Sequence, residues 1–449
     1  MTVSTQHQQL ALPPLPSNGV TGFSDPAFAV NKNLPIHRWV PWIAGFSRDF
    51  VTNTLTRYLS RPGTVLDPFS GVGTTLVEAL LHGHQAVGFE INPYAALASQ
   101  IKVNAYRLSS DLFAGTIRRF ESFYENKANS DYQPHSTPPA GFKTRAAFYS
   151  PSVLRKVLIV HDFINSLANP DFGDVFRLAF AATMVRYSNY SYEPSLSRRV
   201  TTGKEAIEDF PVGETILTKL KEMADDVRWF QTRMNGTALQ AQVIKDSFFA
   251  YSSHISPDSI DLVITSPPYL NNYHYNRNTR PQLYWLGYAC QPKDFKSLED
   301  ANIGKYWQTV RELPRLDLTF TLDSIDLAER LEALRTLHPE KGVYGGNGWA
   351  NYAASYFNDC HRFALGLKAV LKTDGRALVV LGNSILQGIL IPTDRYFAAI
   401  AQSVGLELVG VDIPRATRVG NSIIQSDVRV AKAHDTHQLY EAIVELRKQ

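Results

Sequence analysis

Two periodicities alternate along much of this chain. From Val65 the run VLDPF reads as a short apolar strand, SGVGTT as a tight turn, LVEALLHG as a helix closed at Gly83, and QAVGFEI as a second strand. Strand patterns recur at AQVIKDSF from Ala241 and at DLVITSPPY from Asp261, each closed by a polar or proline-containing turn. Farther on, Tyr352 to Leu371 has apolar residues at helical spacing, and TDG turns the chain into the strand RALVVLGNS. The helix DRYFAAIAQSVG then leads into the strand LELVGVDI, and SDVRVAKA is a last candidate strand. This alternation predicts an α/β fold with a mostly parallel sheet covered on both faces.

The alternation is interrupted twice. Residues 105–240 do not read as strands; SVLRKVLIVHDFINSLA, DVFRLAFAATMVRYS and ETILTKLKEMADDVRWFQTRM have helical spacing, so a helical insertion is expected there. The most linker-like stretch is YENKANSDYQPHSTPPAG, Tyr124 to Gly141. A second insertion, 270–349, mixes aromatic, basic and glycine-rich pieces. The expected division is a polar tail over 1–30, a first core part over 31–104, the helical insertion over 105–240, and a second core part over 241–449.

Composition adds boundaries more than identity. The chain has 449 residues with 44% hydrophobic positions, too apolar for disorder, and its 27 Gly and 25 Pro follow no repeat. With 45 Lys plus Arg against 42 Asp plus Glu, the net +3 neither favours nor excludes a polyanionic partner. Cys290 and Cys360 match no metal spacing and make no disulfide framework; they are expected to be ordinary semi-buried residues in a reducing compartment. The first residues lack the pattern of a secretory signal and no apolar run is long enough to span a bilayer, so a cytoplasmic protein without a membrane partner is expected.

The candidate chemistry sits at strand ends. In Asp67-Pro-Phe69-Ser-Gly71-Val-Gly73-Thr74 the glycines let the backbone turn sharply and approach a ligand. Glu90 ends the next strand, where a carboxylate can accept both hydroxyls of a ribose. The turn lacks the third glycine of the dinucleotide fingerprint and any Gly-Lys-Ser/Thr anchor, which favours a nucleoside without a pyrophosphate, such as S-adenosylmethionine. Ser266-Pro267-Pro268-Tyr269 ends a later strand, at the sheet edge where ligands bind. Its prolines remove backbone donors, presenting carbonyls and the Ser266 hydroxyl as acceptors for a planar group carrying an NH2.

Together, DPFSGVGTT, GFEINP and TSPPY resemble the cofactor, ribose and catalytic motifs of the S-adenosylmethionine-dependent DNA amino-methyltransferases. The resemblance covers most of 31–104 and 241–430 and does not explain the helical insertion. It implies a class I, Rossmann-like methyltransferase fold whose seven-stranded sheet has one antiparallel strand, and an enzyme that needs no metal. It further implies that Phe69, Gly71 and Gly73 hold the methionine part of the cofactor, with Asp67 and Thr74 of the same turn also cofactor-binding. Glu90 would take the ribose and Asp246 the adenine amino group, and the segment His37 to Ser47 would close over the cofactor carboxylate. The motif order reads as the γ arrangement with an insertion after the second strand, or as an α arrangement with 105–240 as the target-recognition domain.

In this reading Ser266 and the Pro267 carbonyl localise the lone pair of an exocyclic amine while Tyr269 stacks on the flipped base. Serine at the head of the motif resembles enzymes acting on cytosine N4; adenine N6 is the alternative. Arg198, Arg199, Arg277 and Arg280 are candidate contacts to double-stranded DNA, as is the run Lys143, Arg145, Arg155, Lys156, and a cognate restriction endonuclease is a candidate partner. His274 is read as a packing residue. An RNA-directed enzyme, a protein glutamine methyltransferase and a catalytically silent nucleic-acid-binding module stay open at this point.

Overall fold

A computed structural model describes residues 23, 28–42, 45, 47–192, 195–234, 236, 238–270, 275–322, 325–417 and 439–449. Seven strands form one sheet: β1 (Thr64–Asp67), β2 (Gln85–Phe89), β3 (Ala241–Ile244), β4 (Ile260–Thr265), β5 (Leu371–Gly382), β6 (Leu406–Thr417) and β7 (Leu439–Lys448). Their order across the sheet is β3-β2-β1-β4-β5-β7-β6. All pairings are parallel except those of β7, which runs antiparallel to both β5 and β6. This is the class I arrangement expected above. The chain builds outward from β1 in one direction and then returns to β4 on its other side, so the switch point of the sheet lies between β1 and β4.

Alternate residues of each strand feed opposite cores, as a sheet buried on both faces requires. Val65, Leu262, Ile264, Leu378 and Val380 face one apolar cluster; Leu66, Val263, Ala377, Val379 and Leu381 face the other. The first face is covered by α1 (Arg48–Tyr58), α2 (Thr74–Leu81) and α3 (Pro93–Asn104), the second by α8 (Gly346–Val370) and α9 (Thr393–Ser403).

The insertion contributes α4 (Ser110–Ala128), α5 (Pro151–Asn165), α6 (Pro170–Thr183) and α7 (Val212–Met234). Phe113, Phe120, Phe163, Phe176 and Phe230 belong to the same cluster as Leu76, Ala95 and Val65, so these helices extend the core of the first face. Helix α7 is tied to the N-terminal segment: the buried Asp226 carboxylate accepts from Ile36 N (2.9 Å), Trp39 Nε1 (2.8 Å) and Arg38 Nη2 (2.6 Å). Among the described residues no helix is long and apolar enough to cross a membrane.

Several expectations are corrected. The insertion does contain strands, a hairpin of Tyr190–Tyr192 with Leu196–Arg198. The supposed linker from Tyr124 begins inside α4, which continues to Ala128 and buries Tyr124. The TDG turn is an excursion within β5, with Asp374 at φ 62° and a register shift against β4, where Ile260 faces Leu371 but Leu262 faces Arg376. SDVRVAKA, like most of 1–30, lies outside the described residues, and the closing strand is LYEAIVELRK. Neither cysteine is semi-buried: Cys290 is exposed and Cys360 buried. Arg155 donates to the carbonyls of Ala128, Lys127, Ser130 and Tyr132, and Lys156 pairs with Asp209 at 2.6 Å, so both serve the insertion's own structure.

Candidate active site

The ends of β1, β2, β3 and β4 meet at one cleft of about 680 Å³, measured out to its open mouth. Phe69, Gly71, Glu90, Asp246, Ser266 and Pro268 all line it. Gly71 and Gly73 lie at φ 50° and 83°, the left-handed region that glycine enters without strain. A Cβ on Gly71 would lie 3.2 Å from Trp42 Nε1, and one on Gly73 2.5 Å from Ser99 Oγ. The turn is thus pinned between Trp42 above and α3 below.

Asp67, Gly73, Thr74 and Pro267 lie beneath this surface, buried. Asp67 receives hydrogen bonds from Thr75 Oγ1 and Thr265 Oγ1, both at 2.7 Å, and from Phe69 N at 3.1 Å. One carboxylate therefore joins the end of β1, the first turn of α2 and the end of β4. Burial raises its pKa to about 6 against the pull of those hydrogen bonds.

Glu90 accepts from Asn92 N at 2.7 Å, and the amides of Gly71 and Ile91 also face it. Burial nonetheless raises it to about 7, helped by the Asp67 charge. Asp246 accepts from Ser247 N at 2.7 Å, and its other oxygen lies 2.9 Å from His254 Nε2.

The loop after β4 is fixed from behind. Tyr356 on α8 donates to the Pro268 carbonyl at 3.1 Å, and Ser384 donates to the Leu270 carbonyl. Tyr269 does not line the cleft. Its hydroxyl donates to Glu441 Oε1 at 3.1 Å and accepts from Ser266 Oγ at 3.4 Å, while its ring lies so close to Gly382 that a Cβ there would sit 2.8 Å from it.

The segment from His37 divides. Trp39 is buried against Asp226, whereas Trp42 lines the cleft; residues 43, 44 and 46 lie outside the described residues, as does His274. Sequence reasoning missed Ser247, Phe248, Tyr275 and Asn276, and Ala301 to Ile303 of the second insertion, all of which line the cleft. It also missed Asn92, whose Oδ1 caps α3 by accepting from Tyr94 N and Ala95 N. The Asn-Pro pair was the available signal for that cap.

Of the candidate DNA contacts, Arg199 donates to the Glu205 carbonyl at 2.8 Å, and Arg280 donates to the Lys143 carbonyl while lying over the Phe142 and Tyr284 rings. Arg277 is exposed on the short helix Tyr275–Asn278, and Arg198 ends the hairpin. Among the described residues no group of three or more His, Cys, Asp or Glu side chains is placed to hold a metal ion.

Residues 42–100, which carry the glycine turn and Glu90, match the DNA methylase family model. The chain resembles the S-adenosylmethionine-dependent DNA amino-methyltransferases. It is 24% identical over 433 residues to the type II methyltransferase M.BsoBI of Geobacillus stearothermophilus, covering 88% of this chain and 83% of that protein. To the type II methyltransferase M.AvaI of Nostoc sp. it is 23% identical over 418 residues, covering 88% and 84%. Among solved structures, the rRNA methyltransferase aviRa of Streptomyces viridochromogenes aligns over 91% of this chain and 87% of its own at 11% identity and a TM-score of 0.30. The fold assignment rests on the strand order.

The cleft suits the donor these enzymes use. A glycine turn, a carboxylate with free acceptor capacity and a second carboxylate at the next strand end can hold a nucleoside bearing an amino-acid arm.

Proposed function

We propose that this protein is a site-specific DNA methyltransferase that modifies the exocyclic amino group of a flipped-out base, with cytosine N4 as the preferred target. The observation that carries this reading is the opening of the glycine turn, Glu90 and the Ser266–Pro268 loop onto one cleft at the switch point of the sheet. S-adenosylmethionine would supply an electrophilic methyl group on a sulfonium. The Phe69 to Gly73 turn would receive its methionine part, Glu90 its ribose hydroxyls and Asp246 its adenine amino group.

An exocyclic amine is a weak nucleophile because its lone pair is delocalised into the ring. Ser266 Oγ on the cleft wall would accept one of its hydrogens, and the Pro267 carbonyl just beneath that wall the other, localising that pair as the nitrogen becomes tetrahedral. The remaining acceleration would come from holding acceptor and donor in line. Within a duplex the amine is out of reach, so the base must leave the stack at a cost of a few kcal/mol. Tyr269 would border the flipped base at the edge of its pocket. Of the four candidate arginines, Arg198 and Arg277 suit phosphate contacts best, since Arg199 and Arg280 already serve backbone carbonyls. A cognate restriction endonuclease is the proposed partner and the cytoplasm the proposed location, in keeping with the type II relatives.

Labelled methyl transfer to duplex DNA, followed by nucleoside mass spectrometry, tests the proposal. N4-methylcytosine is expected. N6-methyladenine would move the target to adenine, and transfer to tRNA alone would overturn DNA as substrate. Tyr269→Ala is expected to abolish transfer while S-adenosylmethionine binding by calorimetry stays within about threefold of wild type. Full activity in that variant would mean that the loop is misassigned.

A further inference from the structure

The insertion hairpin, Tyr190–Tyr192 with Leu196–Arg198, is far in sequence from the strand ends but is bonded to them through a chain of amides and hydroxyls. The chain begins at Glu90, which accepts from Asn92 N at 2.7 Å. The Asn92 side chain spends its oxygen on capping α3 and donates its NH2 to Thr279 Oγ1 at 2.8 Å and to Asn276 Oδ1 at 3.3 Å. Asn276 and its neighbour Tyr275 wall the cleft. One residue pair on, the Asn278 carbonyl accepts from Tyr192 Oη at 2.9 Å, and Asn278 Oδ1 accepts from Leu196 N at 3.3 Å. Gln282 Nε2 then donates to the Tyr192 hydroxyl oxygen at 3.3 Å.

These groups are shielded from water: Asn92, Asn276, Asn278, Thr279 and Gln282 are all buried. Buried neutral hydrogen bonds fix relative position strongly, because a group that loses its partner finds no water in exchange. Gln282 Oε1 and Ser191 Oγ are buried with no hydrogen-bond partner among the described residues.

We propose that Asn92, Thr279, Asn278 and Tyr192 are positioning residues that couple cofactor occupancy of the cleft to duplex binding by the hairpin that carries Arg198. This rests on reading the cleft as a methyl-transfer site and the hairpin as a DNA-facing element. A ribose that engages Glu90 bonds to the carboxylate whose Oε1 also holds the Asn92 amide, so the two hydrogen bonds are coupled through one charge. The change is passed through the Asn92 side chain to the Tyr275–Asn278 helix and from its last residue to the hairpin. By reciprocity, a duplex held by the hairpin tightens the cofactor by the same factor.

The test is duplex binding by fluorescence anisotropy, with and without a non-reactive S-adenosylmethionine analogue. Wild type is expected to bind DNA about tenfold more tightly when the analogue is present, a coupling within the usual range. Asn92→Ser keeps an N-cap for α3 but lacks the amide that reaches Thr279. Tyr192→Phe removes only the hydroxyl. Each is expected to cut the coupling to about twofold or less while thermal stability and analogue affinity in the absence of DNA stay near wild type. A merely structural role would move those last two quantities together with the coupling. Unchanged coupling in both variants, or no coupling in wild type, overturns the proposal. Wild-type protein that fails to bind the analogue or DNA by itself would overturn the methyl-transfer reading and this inference with it, a failure seen in the single-ligand titrations.

Discussion

Glu90 and Asp67 are carboxyl groups that the fold holds in a partly protonated state near neutrality, at about 7 and about 6. A raised folded pKa stabilises the protein below the unfolded value, and that stability is lost as pH rises through the folded one. These two groups are therefore expected to contribute a loss of thermal stability between about pH 4 and pH 7, read by calorimetry as the part of the pH profile that Glu90→Gln and Asp67→Asn remove. Ligand binding should run the other way. Ribose hydroxyls donate to the ionised carboxylate, so the Kd for S-adenosylmethionine should fall as pH rises through about 7, by up to about tenfold per unit below it. Glu90→Gln should weaken binding and flatten that profile; an unchanged slope would remove Glu90 from the site. Gly382 offers a second test at this scale. A methyl group there would press on the Tyr269 ring, so Gly382→Ala should cost roughly 1–3 kcal/mol and lower kcat with little change in cofactor Kd.

At the level of elements, local signals proved readable and pairings proved hard. The glycine turn, the acid after β2 and the Pro-Pro loop announce themselves because each is a short departure from strand periodicity. Asp67 looked like part of the cofactor turn, but its partners Thr75 and Thr265 come from two other elements. The ring of Tyr269 packs against Gly382 and its hydroxyl donates to Glu441, both more than a hundred positions away and so not visible in the motif itself. Strand β7 went unnoticed because LYEAIVELRK also has the composition of a helix, and only pairing with β5 and β6 decides between the two. The hairpin at 190–198 was hidden because its two strands, YSY and LSR, are too short for an alternating period to show. Helix α7 supplies the prediction here. Ile36 sits at φ 65°, an unfavourable region for a β-branched residue, with its amide held by Asp226. Asp226→Ala would leave the Arg38 guanidinium, the Trp39 indole and that amide without their acceptor. It should cost about 3–5 kcal/mol in urea unfolding.

For the whole molecule, the shared apolar cluster has a thermodynamic signature. Since the helices of 105–240 and the first face of the sheet bury one another, heating should give a single transition with equal calorimetric and van't Hoff enthalpies. Two resolved transitions would mean that the insertion is an independent body. The same arrangement explains why near-neutral net charge is uninformative: basic side chains such as Arg155 and Lys156 are consumed inside the fold, and net charge counts them equally with exposed ones.

The three hydrogen bonds to Asp67 also limit how a catalytic cycle could run. They weld the glycine turn to the end of β4, so the floor of the cleft moves as one piece and cannot gape to release a spent nucleoside. Opening is left to the roof, made of Trp42 and Ala301 to Ile303, since Asn276 is itself held by Asn92. None of these residues belongs to the sheet. Turnover would then be set by how fast segments outside the sheet lift away, and variants that speed release should map to the roof while the floor remains intolerant of change.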